Sequence, residues 1–182
     1  MAHAPIDIHQ VSDEHILAQR DMAIAQMDWM RHYTLELMDT IPFSRWFEIP
    51  PGSSSNVAWQ VGHLAVSEYG LFLFRQRGRL AEDRELMPSW LRKRFGRGSD
   101  PTCVASDTTS PQELLDHLDA IHQRSLTHAK QLSAATLREP IDMPYAVYAT
   151  KLGALLFGAP HESIHAGQIG MIRRQLGLAP IR

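Results

Sequence analysis

Cysteine is nearly absent from this chain, with Cys103 the only one among 182 residues. That excludes an intrachain disulfide and a cysteine-rich zinc knuckle. Cys103 has no sequence neighbour that would lower its pKa, which makes it a poor nucleophile. Charge of one sign is lacking too, the formal net value being -2. Basic residues are scattered except in R-L-A-E-D-R-E-L-M-P-S-W-L-R-K-R-F-G-R, residues 79 to 97, where acids interleave with Arg92, Lys93 and Arg94. Nucleic acid gains no support as a partner from that pattern. Long apolar runs are missing: L-A-V-S-E-Y-G-L-F-L-F and L-G-A-L-L-F-G-A are too short or too interrupted to span a bilayer. The opening M-A-H-A-P-I-D-I-H-Q lacks the basic and apolar regions of a secretory signal. No membrane role is expected, and a cytoplasmic protein is the simplest reading. No window alternates as a strand does, and no repeat of fixed period is visible.

Helical signals fill the space these absences leave. With 44% hydrophobic residues the chain is expected to fold as one domain over residues 1–182. Residues 12–40 read as a long helix, capped by Ser12, with Ile16, Met27, Met30, Thr34, Leu37 and Ile41 on three- and four-residue steps and Pro42 closing it. Residues 56–77 resume helical spacing after the turn P-P-G-S-S-S, and Gly78 offers a stop. Residues 79–109 break the pattern, apart from a short helix around 88–95. S-P-Q-E at 110–113 is a capping box that starts a helix to about Leu132. The last helix is expected from Thr150 to Leu176, ending at Gly177. Four long helices with irregular crossovers imply an all-α antiparallel four-helix bundle. Met22, Met30 and Met38 are assigned to its core, with one apolar face left for a second copy of the chain, as in a homodimer.

Histidine is the residue in excess, at ten copies. Two stand in H-E-S-I-H-A-G-Q, residues 161–168, where His161 and His165 are four apart and share one helix face. H-E-x-x-H is the signature of zinc proteases, in which the glutamate acts as base. Here the tail after His165 contains no further His, Asp or Glu, and no strand is expected to hold a peptide, so an HExxH zinc metalloprotease is the least favoured function. A third ligand must lie upstream, and His63 in N-V-A-W-Q-V-G-H-L is the candidate. It shares a face with Asn56, Trp59 or Gln60, and Ser67, while Val57, Val61, Leu64, Val66 and Leu71 are apolar neighbours. From spacing alone His63 reads first as a hydrogen-bonded core histidine and second as a ligand.

W-Q-V-G-H-L on the second helix, with H-E-S-I-H-A-G-Q-I and R-R-Q-L-G near the C-terminus, resembles the DinB-like superfamily, also called the YfiT-like metal-dependent proteins. The resemblance runs from the first helix to Gly177. It implies a four-helix bundle in which three histidines, here His63, His161 and His165, hold a divalent metal such as zinc, nickel or iron in an open pocket. The chain departs from some members at Ile164, where they carry a further histidine. The resemblance further implies an activity like that of members that are thiol-dependent transferases or isomerases using low-molecular-weight thiols such as bacillithiol or mycothiol.

Three neutral imidazoles with an open position make a Lewis-acid site that activates water or a thiol. Gln60 and Gln168 are candidates to orient the ligand rings. Glu162 is a weak catalytic candidate: it points about 100 degrees away from His161 around the helix and is expected in solvent or a salt bridge, and Glu68 is a poorer candidate still. Trp90, Tyr145 and Tyr148 are candidates to line a substrate pocket built from residues 79–109 and 133–150, although an aromatic in a crossover more often packs over the core. Pro160 is expected either to start a new helical segment or to kink the last helix so that His161 is aimed. The functions that follow are a divalent-metal-dependent, thiol-dependent S-transferase acting on small electrophiles, a metal-dependent hydrolase of a small amide or ester, or a non-enzymatic metal-binding or dimerising module.

Overall fold

The structure is a computed structural model and describes residues 7–103, 109–142 and 148–181. Regular structure among the described residues is helical; the one β-type pairing is an isolated bridge between Pro140 and Thr150. The long first helix, α1, spans Asp13–Met38, and the Ser12 side chain accepts from the backbone N–H of His15 as its cap. The second starts as α2, Val57–Glu68, capped by Asn56 on Trp59 N–H, widens into a π-helical segment at Tyr69–Phe74, and ends as α3, Arg75–Arg77. Gly78 stops it with φ at 76 degrees, where a side chain would be strained. The crossover carries two short helices, α4 at Asp83–Leu86 and α5 at Ser89–Phe95. Next come α6 at Pro111–Ala129, with Ser110 accepting from Glu113 N–H, a single turn α7 at Ala134–Leu137, and α8 at Lys151–Gln175.

The four long helices pack in a ring, α1 on α8, α8 on α2, α2 on α6 and α6 on α1. Their directions differ from the expected antiparallel order. Arg31 meets Glu162 and Leu37 lies against Gly170, so α1 and α8 run the same way. The cause is the crossover: Asn56, at the start of α2, donates to the carbonyl of Pro101, so the chain has returned along α2 before α6 begins. Consequently α6 runs parallel to α2, and α8, starting at Lys151 beside Gln76, runs antiparallel to it.

Two apolar clusters fill the ring. One gathers Leu37, Trp46, Val61, Leu64, Leu118 and Ile169 near the His63 end, the other Ile16, Met27, Phe72, Leu152 and Leu155 at the opposite end. Met38 is buried and Met30 packs against the first cluster, but Met22 is 58% exposed and contributes nothing to the core. Pro160 neither starts nor breaks a helix; α8 runs through it, at the cost of one backbone hydrogen bond.

Candidate metal centre

His63 reaches the site from α2, His161 and His165 from α8, and a ring nitrogen of each lies within 4.8 Å of the others. Ring centroids are 5.4 Å apart for His63 and His161, 4.7 Å for His63 and His165, and 4.6 Å for His161 and His165. The i, i+4 spacing on one continuous helix accounts for the last distance. The antiparallel packing of α2 on α8 accounts for the other two.

The ring orientations come from outside the triad. His63 Nδ1 donates to the carbonyl oxygen of Phe95 at 2.7 Å, which leaves Nε2 as the acceptor, with the Ser67 hydroxyl 3.3 Å from it. That carbonyl is in reach because residue 62 is glycine: a Cβ there would overlap the Phe95 ring. Trp59 stacks on His63 with centroids 4.7 Å apart and is itself anchored through Nε1 to Ser99 Oγ. His165 Nδ1 donates to Gln60 Oε1 at 2.6 Å, while Gln60 Nε2 donates to Ser55 Oγ, so the amide is held at both ends. Gln60 thus orients a ring of α8, although it lies one turn from His63 on its own helix.

Burial favours the neutral form of all three imidazoles. Burial, with the neighbouring His63, lowers the His161 pKa to about 4. Burial followed by His161 and His63 lowers His165 to about 3, against a hydrogen bond to Gln168 that pulls upward. Burial also lowers His63, opposed by its bond to Phe95. Two ring nitrogens whose N–H groups are spoken for, a third imidazole beside them and no proton on the facing lone pairs form a donor set suited to a divalent ion of the zinc, nickel or iron type. The histidines that the sequence singled out are therefore the three that converge.

Glu162 takes the salt-bridged place expected of it rather than the weak catalytic one. Its side chain is buried, not solvated, and both oxygens are held by Arg31, Oε1 by Nε at 2.8 Å and Oε2 by Nη2 at 3.0 Å. Arg31 Nη2 also donates to Glu68 Oε2 at 2.8 Å and Nη1 to the carbonyl of Leu118. Glu68 Oε1 then accepts from His122 Nδ1, and His122 Nε2 reaches Asp28. Sequence reading missed Arg31 and His122, although a signal was there: Arg31 stands on the apolar stripe, four after Met27 and three before Thr34, and His122 four after Leu118.

Beside His63 and His161 opens a cavity of about 1090 Å³. The 79–109 crossover contributes to its wall as expected, through Met87, Ser89 and Gly96 among others. Of the aromatic candidates, two pack over the core instead of lining the cavity: Trp90 lies edge-on against Phe95 and His117, and Tyr148 is buried in the second core cluster. Tyr145 lies outside the described residues. No helix among the described residues is long and apolar enough to cross a membrane.

No curated protein matches the chain. A family model described as the DinB superfamily matches residues 26–169, which includes all three histidines and the Arg31 network. With that match over most of its length, the chain belongs to the DinB superfamily.

Proposed function

We propose that this protein is a divalent-metal enzyme that activates a small thiol for transfer to a small electrophile, with His63, His161 and His165 as the metal ligands. The observation that carries the reading is the convergence of three neutral imidazoles beside an open cavity. Bound there, a divalent ion would supply a Lewis acid that lowers the pKa of a thiol or water at the remaining position. The chain's own residues do the rest. Phe95 O and Gln60 Oε1 fix the His63 and His165 rings, so that little reorganisation accompanies ligand entry. Ser67, whose hydroxyl lies 3.3 Å from His63 Nε2, stands at the edge of the site where it can hydrogen-bond a bound substrate. Glu162, committed to Arg31, is assigned a structural role rather than that of a base.

Hydrolysis of a small amide or ester needs the same three histidines and is the second reading. The ring of four helices is taken as the bundle of the family, forming a single domain over residues 1–182 of a cytoplasmic protein. Trp29, Met22 and Ile164, exposed on α1 and α8, offer a face for a homodimer. The deciding experiment is the metal content of protein purified without a histidine tag or added metal. Near-stoichiometric divalent metal in wild type and its loss in His63→Ala is the expected result. A wild type that neither carries nor takes up divalent ions would sink the proposal and leave a non-enzymatic module.

A further inference from the structure

The cavity beside the three histidines has a chemical bias of its own. Arg75, Arg79, Arg92, Lys93 and Arg97 line it, and no aspartate or glutamate does so among the described residues. Sequence order concealed this sorting, because acids alternate with bases between residues 79 and 97. In the structure two of those three acids have other partners, Asp83 buried against Arg77 and Glu82 paired with Arg124, and the third, Glu85, does not line the cavity. What remains facing the cavity is basic.

Two separate helix ends supply the cations. The π-helical segment brings Gly70 and Arg75 into line, and Arg75 Nη1 donates to the Gly70 carbonyl at 3.2 Å. Arg79 Nη2 donates to the Met87 carbonyl at 3.0 Å. Both partners are neutral, so both charges stay uncompensated by them. The preference of a helix's last turn for cations explains why Arg75, Arg92 and Lys93 are basic. It does not explain why two helix ends, together with Arg79 and Arg97, converge on one cavity. Val66, Leu71 and Phe74 give that cavity an apolar wall as well, and a concave basic surface against a low-dielectric wall concentrates positive potential. Its size is that of a small-molecule site, since such clefts commonly measure roughly 300–1,000 Å³.

We propose that this cavity binds a small organic molecule bearing a carboxylate, sulfonate or phosphate group, its anionic end on the arginine and lysine side chains and its reactive end at His63 and His161. The proposal names the substrate class for the site described above and rests on that reading for the reactive end alone. Steering by five cations also predicts affinity that falls as salt is raised.

The test uses the full chain in two arms. In the first, cobalt(II)-reconstituted protein is titrated with 3-mercaptopropionate and with 3-mercapto-1-propanol, equal in length and differing in the carboxylate, and thiolate-to-cobalt absorbance is read. Wild type is expected to bind the carboxylate about tenfold more tightly, and Arg92→Gln/Lys93→Gln to bind both alike. The second arm needs neither metal nor thiol: 1,3-propanedisulfonate should raise the thermal midpoint of wild type above a chloride control of equal ionic strength, and leave the double variant at the control value. Arg92 and Lys93 are exposed, so their replacement leaves the core intact. A disulfonate shift confined to wild type, with no absorbance from either thiol, would remove the thiol reading and still uphold the anion cavity. A disulfonate shift of equal size in the double variant, or none in wild type together with equal affinities for the two thiols, overturns the inference.

Discussion

The three histidines and the two carboxylates of the Arg31 network are neighbours on the same two helices, with Glu162 next to His161 and Glu68 five residues after His63, yet burial is handled oppositely in the two groups. Around Arg31 every charge meets its complement: the guanidinium is shared between Glu68 and Glu162, and His122 bridges Glu68 and Asp28. Burial lowers the His122 pKa, but the bond to Glu68 and its charge outweigh that and raise it, and both ring nitrogens face carboxylate oxygens. Among the three histidines burial outweighs the nearby Glu162 charge and drives His161 and His165 toward the neutral form instead. A buried network with all its bonds made is a structural device. A buried cluster with lone pairs facing one another is incomplete by itself, and completion by a cation is what its geometry suits. The contrast separates the residues that hold the helices from those to which the proposed chemistry is assigned.

Breaking the paired side should have the largest effect. Arg31→Met leaves two buried carboxylates without their cation, at an expected cost of about 3–5 kcal/mol in urea unfolding. A loss below about 1 kcal/mol would show that the network does not hold the helices together. The unpaired side is sharpened by Gln60→Leu, which removes the acceptor of His165 Nδ1. Metal affinity is expected to fall by about ten- to a hundredfold, read by chelator competition; an unchanged affinity would mean that Gln60 does not set the ring orientation.

A third test uses pH, where the two groups act with opposite sign. His161 and His165 have folded pKa values lowered to about 4 and about 3 from 6.5. Between those values the unfolded chain binds more protons, so metal-free protein loses stability as pH falls from 6.5 toward 4 and 3. His122 is raised, so its contribution is full below 6.5 and is lost as pH rises through the folded value. Urea midpoints across pH, for wild type and for His161→Gln/His165→Gln, separate the two: the double variant should lose less stability on the acid side. Identical acid slopes would contradict the neutral state assigned to the histidine pair.

Much of the helical framework was legible from local chemistry. Ser12 and Ser110 cap α1 and α6 as their spacing implied, and Gly78 and Gly177 end helices with positive φ. His161 and His165 had to share a face once α8 was helical. The direction of packing was not legible, because nothing local in 79–109 says how far back along α2 the crossover travels. Met22 was misassigned because helical period identifies a stripe and not which stripe meets a neighbour. Arg31 was overlooked because a charged residue on an apolar stripe becomes intelligible only when Glu68 and Glu162 arrive from two other helices.

Sequence alone therefore determined the helices, their caps and stops, and which histidines had the spacing of ligands, since each of these depends on contacts within about one turn. Tertiary structure decided that His63 meets His161 and His165, that Phe95 and Gln60 orient two of the rings, and that five scattered cations share one cavity. Those outcomes rest on the packing of α2 against α8 and the return path of the crossover, in which Gly62 lets Phe95 approach closely, and distances between separate helices are set by the whole packed ring rather than by any local stretch of chain.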